Sequence, residues 1–157
     1  MDTQRIETAY FGEVTYCEPG VIHFENGLPG FEQERGFVTI RQEGCDPLVF
    51  LQSVSKPSLC FVTLPVQTIT PDYRFELQPE DLEALGLPAD SRPESGRDLV
   101  LLAVVSVNDS AAPTANLLAP VVIHPGNRRG VQVIQAESGH ALRHPLECHV
   151  DHGATCS

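Results

Sequence analysis

Proline and glycine cut this chain into pieces that suit strands and little else. The 157 residues include 13 prolines and 12 glycines, more than the roughly 12% of average usage. They are spread as punctuation. Between them lie short apolar runs rich in Val, Leu, Ile and Phe, the length and composition of strands. These runs fall near residues 8–16, 20–24, 36–41, 47–54, 58–65, 73–77, 98–107, 117–124 and 130–136, with a last short one near 140–146. Leu99 to Val105 is the longest run and has no polar break. Such a strand is apolar on both faces and should be buried on both or lie central. It is far shorter than the roughly 20 residues that cross a bilayer as a helix.

One stretch reads as helix. Pro79-Glu80-Asp81-Leu82-Glu83-Ala84-Leu85-Gly86 starts with a proline suited to a first turn and acids suited to the positive end of the helix dipole. Leu82 and Leu85 share a face, and Gly86 is a stop. About two turns are marginal alone, so this helix must dock on a sheet. The polar, proline-broken stretch 87–98 reads as a loop. Many short strands and one short helix predict an all-β, mostly antiparallel, barrel-like fold. Residues 1–146 are expected to form the domain, and 147–157 a flexible tail.

Charge removes two classes of partner. Ten basic residues stand against 21 acidic ones, a net charge of −11. A nucleic-acid binder needs a Lys/Arg stripe to displace counterions from phosphate, and an anionic membrane surface makes a similar demand. The start of the chain, Met1-Asp2-Thr3-Gln4-Arg5, lacks the charged and apolar regions of a secretory signal. Cytoplasmic residence is therefore expected, with the five cysteines as reduced thiols and Cys60 as a small core hydrophobe.

The familiar catalytic and phosphate-binding motifs do not occur, so catalytic residues: none are expected, and likewise no cofactor and no metal. Glu80, Asp81 and Glu83 tempt as acid–base groups, but on a short exposed helix they should stay solvated. Cys148, His149, His152 and Cys156 have ligand types that could close a zinc site. They sit within nine residues with no core to gain from the metal, so scattered ligands in a tail are the favoured reading. A small metal-carrying or enzymatic module built on this cluster is the alternative function.

Four other segments stand out. Arg128-Arg129 follows Pro125-Gly126-Asn127 and is either a pair of solvated turn residues or an anion contact. From Glu76 to Asp98 there are seven acids and two arginines, either a solvated face or a patch for a basic partner. Asn26-Gly27-Leu28-Pro29-Gly30-Phe31-Glu32 holds two strong turn formers, and a loop with two positive-φ positions would use both glycines. Leu28 and Phe31 then plug the core or meet a partner. In Asn116-Leu117-Leu118-Ala119-Pro120-Val121-Val122-Ile123, Pro120 has no N–H for a ladder and marks an edge or bulge, where a partner can dock.

An ordered set of motifs resembles the flagellar assembly factor FliW family. It comprises Phe11-Gly12-Glu13, Ile22-His23-Phe24, Gly27-Leu28-Pro29-Gly30-Phe31-Glu32, Pro47-Leu48-Val49-Phe50-Leu51-Gln52-Ser53, Leu59-Cys60-Phe61-Val62, Pro71-Asp72-Tyr73, Thr114 through Ile123, and Gly130-Val131-Gln132-Val133-Ile134. The resemblance covers roughly residues 8–146. It implies a non-enzymatic, β-barrel-like cytoplasmic protein, here expected to be monomeric, that binds the translational repressor CsrA and flagellin. Relief of flagellin translation would then follow flagellin export. Partner-binding residues are expected at Gly27, Leu28, Pro29, Gly30, Phe31 and Glu32, and at Asn116, Leu117, Leu118 and Pro120.

Overall fold

The computed structural model describes residues 3–9, 11–17, 20–94, 97–108, 111–135 and 139–146. The tail 147–157, with Cys148, His149, His152 and Cys156, lies outside the described residues.

A hairpin comes first. Among the described residues, strands β1 (Thr3–Thr8) and β2 (Gly12–Cys17) pair only with each other. The run at 8–16 is thus not one strand but a turn followed by β2. Thr8 closes that turn, its hydroxyl donating to the Gly12 carbonyl at 2.9 Å and accepting from Phe11 N–H at 2.8 Å. The hairpin rests on the main body through Ala9 N–H to the Pro57 carbonyl at 3.0 Å and an edge-to-face pair of Phe11 and Phe50, centroids 5.0 Å apart.

The main body is a closed barrel. Its strands are β3 (Ile22–His23), β4 (Gly36–Ile40), β5 (Val49–Ser53), β6 (Cys60–Pro65), β7 (Val100–Asn108), β8 (Ala111–Ala115), β9 (Val121–His124), β10 (Arg129–Gln132) and β11 (His144–Pro145). Seven of them form a ring in the order β7-β6-β5-β4-β3-β10-β9, which shuts when β9 pairs back onto β7 through Val100↔Ile123, Leu101↔Val122 and Leu102↔Val121. All contacts in the ring are antiparallel except β3 with β10. Closure removes the open edges that a flat sheet exposes. Beyond Val104, β7 leaves β6 and continues against β8, which carries β11 on its other side.

Over Leu101 to Ala103, β7 is buried on both faces, in keeping with its unbroken apolar run. Leu102 and Val104 point into the barrel with Phe24, Phe37, Leu51 and Val121. Leu99, Leu101 and Ala103 point outward into a second core with Val66, Tyr73, Leu85, Leu117 and Val133. Two short helices supply part of that cover, α1 (Val66–Ile69) and α2 (Pro79–Ala84). α2 docks as expected, with Leu82 and Leu85 buried and Gly86 at φ 75°.

Other expectations are corrected. Residues 73–77 form no strand, because a side chain replaces the ladder: Gln135 accepts from Glu76 N–H at 2.7 Å and donates to its carbonyl at 2.9 Å. α1 and β8 were not expected from the sequence; in β8 (Ala-Ala-Pro-Thr-Ala) only Thr114 is a branched, strand-favouring residue, and alanine and proline are disfavoured there. Pro120 marks no edge. It sits just before β9, where no N–H is needed, and β9 is flanked by β10 and β7.

Candidate functional site

Residues 24–35 form a tight loop at one end of the barrel. Phe24 N–H donates to the Arg35 carbonyl at 2.8 Å, and Gly27 N–H to the Phe24 carbonyl at 2.9 Å. Leu28-Pro29-Gly30-Phe31 closes on itself through Phe31 N–H to the Leu28 carbonyl at 2.7 Å. Proline at the second position and a positive-φ glycine at the third match the chemistry of a type II turn. Gly27 and Gly30 have φ of 65° and 86°, so both glycines are used as expected. Leu28 plugs the core at 3% exposure. Phe31 is half-buried and packs edge-to-face on Phe61, centroids 5.5 Å apart. Pro29, Gly30 and Glu32 are exposed. The Glu34 carboxylate accepts hydrogen bonds from the Ser53 hydroxyl at 3.1 Å and from the Ser55 hydroxyl, tying the loop to the β5–β6 turn.

The second segment is also held from within. Asn116 Oδ1 accepts from Leu118 N–H at 3.1 Å and from Ala119 N–H at 2.9 Å. This side-chain-closed turn breaks the chain between β8 and β9. Leu117, Ala119 and Pro120 are buried, and Asn116 and Leu118 are half-buried.

The two segments meet. Leu28 and Pro29 from the first and Asn116 from the second line one groove of about 340 Å³, with Phe61, Val104 and Arg143 among its other walls. The groove opens where β7 leaves β6 and turns toward β8. Leu117, Leu118 and Pro120 do not line it. Sequence reasoning missed Phe61, Val104, Gln132, Leu142 and Arg143, which arrive from four distant strands and loops and share no local signal.

The acidic stretch lies on the flank of the barrel, over the outer core. Glu76, Glu80, Glu83, Asp90, Glu94 and Asp98 are exposed, and Asp81 is half-buried. Asp81 departs from the solvated reading: its carboxyl is held above the usual range, chiefly by burial, with the Gln78 N–H bond opposing and the Glu80 charge adding. Its carboxylate already serves the first turn of α2, accepting from Gln78 N–H at 2.8 Å. Cys60 is a half-buried free thiol that burial pushes up to about 11. His140 stacks on Tyr73 with centroids 4.1 Å apart. Among the described residues no cluster of three or more His, Cys, Asp or Glu could hold a metal, and no helix is long and apolar enough to cross a membrane.

The profile of the FliW protein family matches residues 4–146. The chain belongs to the FliW family. A flagellar assembly factor FliW of Caldanaerobacter subterraneus subsp. tengcongensis is 35% identical, with 90% of this chain and 91% of the relative covered. The FliW of Geobacillus kaustophilus is likewise 35% identical over 90% of this chain and 94% of its own length. A crystal structure of the flagellar assembly factor FliW superposes with a TM-score of 0.79 at 34% identity, covering 90% of this chain and 96% of that one. The FliW match takes in the loop at 27–32, the turn at 116–120 and the groove they share.

Proposed function

We propose that this protein is a cytoplasmic flagellar assembly factor that works by occupying other proteins, with CsrA and flagellin as its partners. Flagellin in excess would hold it; export of flagellin would free it to bind CsrA and lift repression of flagellin translation. The observation that carries this reading is FliW membership across residues 4–146. The charge is compatible with it. A protein that counters an RNA-binding repressor gains from repelling RNA, and this chain carries −11 with an exposed acidic flank.

Docking alone is not inhibition. The protein must bind the weak-RNA-binding state of the repressor better than the strong one. The groove between the 27–32 loop and Asn116 is the docking surface we favour, since it presents apolar walls beside the exposed Pro29-Gly30 turn.

Affinity purification of the full chain from its native cell should retain both CsrA and flagellin. Retention of neither sinks the reading. The charge contribution is separable: with complex formation held constant, added salt should weaken inhibition of RNA binding, and an unchanged inhibition removes it.

A further inference from the structure

The opposite mouth of the barrel holds a second, different cup. Its volume is about 250 Å³, and its floor is Ile22, Val49, Leu102 and Ile123, all buried. Val100 forms part of the wall and is 37% exposed. Its charged lining residues are two arginines, Arg41 and Arg128. The volume falls below the roughly 300–1,000 Å³ of drug-sized sites and suits one large apolar side chain.

The arginines are notable in so acidic a chain. Among the described residues, ion pairs join Arg5 to Glu13 and Arg97 to Glu94, and none involves Arg41 or Arg128. Glu43 and Asp46 stand in the loop that follows Arg41, yet neither pairs with it. Arg128 also holds an unfavourable backbone. It is the one non-glycine with positive φ among the described residues, at 54°. A hairpin turn normally gives that position to Gly or Asn. Gly126 and Asn127 stand directly before it, and arginine occupies it nonetheless. The backbone is fixed there by Arg128 N–H to the Pro125 carbonyl at 3.2 Å and His23 N–H to the Arg128 carbonyl at 2.8 Å. Strain held in place by its surroundings is found where a side chain must be aimed.

We infer that this cup docks a peptide segment of a partner protein in which a large apolar residue stands beside a carboxylate. The apolar residue seats on Ile22, Val49, Leu102 and Ile123, and the carboxylate lies between Arg41 and Arg128. The inference does not depend on the CsrA and flagellin reading, because its probes are short peptides.

The test is an NMR titration of the full chain with the capped peptide N-acetyl-Gly-Leu-Glu-Gly-amide. Shifts should appear at the methyls of Ile22, Val49, Leu102 and Ile123 and at the side chains of Arg41 and Arg128. Gln in place of the peptide Glu should weaken binding about tenfold, the loss of a charge-assisted bond. Ala in place of the peptide Leu should weaken it by a similar factor, about tenfold. Arg128→Gly should weaken binding while the melting temperature holds or rises, because glycine relaxes the turn; Arg41→Gln should weaken it as well. Equal binding of the Glu and Gln peptides, or no shifts at these residues, overturns the inference. So do shifts there that follow protein concentration without peptide, which would mean that a second copy covers the cup.

Discussion

The ring of Phe24 fills the space that a side chain at residue 130 would need. A Cβ built on Gly130 would lie 2.5 Å from Phe24 Cε2 and 2.6 Å from Cζ. Phe24 is fully buried in the barrel and packs edge-to-face on Phe37, centroids 5.4 Å apart. The ring therefore has nowhere to retreat. Gly130→Ala should cost about 1–3 kcal/mol, the range for overpacked cores. A chain of this length then loses roughly 3–10 °C of melting temperature. Adding Phe24→Leu should recover part of that loss, since the two positions share one volume. Strictly additive losses in a double-mutant cycle would refute this packing account.

Gly27 and Gly30 share one loop and a positive φ, but only one is sterically enclosed. A Cβ on Gly27 would meet the Glu32 backbone, 2.6 Å from its Cα, while one on Gly30 meets nothing within 4 Å. Gly30→Ala should therefore pay the conformational penalty alone, about 1 kcal/mol. Gly27→Ala pays that and must also push the 27–32 turn apart. Chemical denaturation should rank Gly27→Ala well below Gly30→Ala. Equal losses would mean that the loop yields freely and does not hold its shape.

Asn116 is a structural asparagine as well as a wall of the groove. Removing Oδ1 strands two backbone N–H groups, those of Leu118 and Ala119. By analogy with a lost helix cap, Asn116→Ala should cost about 1 kcal/mol, or ~3 °C. Asn116→Asp keeps the acceptor and should stay within about a degree or two of the parent. A partner-binding assay on the Asp variant is the cleaner probe of the groove. If Ala and Asp melt alike, the side-chain turn contributes nothing.

The sequence exposes its own limits at particular residues. β7 was legible because seven apolar residues in a row leave no solvent face, and the structure sends Leu102 inward and Leu101 outward. The turn at 28–31 was legible because Pro-Gly chemistry is local. β8 was not, since Ala111–Ala115 owes its strand to pairing with β7 and not to its own composition. Residues 73–77 looked like a strand until Gln135, 59 positions away from Glu76, took over its backbone bonds. The groove was half legible. Both of its turns could be read locally, but their meeting is a product of barrel closure, which joins β9 to β7 and is written in no single segment.

Alkaline pH should loosen the fold by a predictable route. Burial raises the Cys60 thiol from 9.0 to about 11 and the Tyr73 phenol from 10.0 to about 12. Tyr73 also donates its hydroxyl proton to the Leu117 carbonyl, a bond that ionisation destroys. In the unfolded chain both groups ionise first, so above pH 9 the unfolded state binds fewer protons than the folded one, and stability falls as pH rises. Their contribution is intact below about pH 9 and is lost progressively between pH 9 and 12. Thermal melts across that window should show a steady fall. Cys60→Ala should flatten its lower part, and Tyr73→Phe, which cannot ionise, its upper part. At pH 8 the Cys60 thiol should alkylate far more slowly with iodoacetamide than a free cysteine in solution, because the thiolate is the nucleophile. Rapid modification of Cys60 in the folded chain would show that burial does not hold the proton on sulfur.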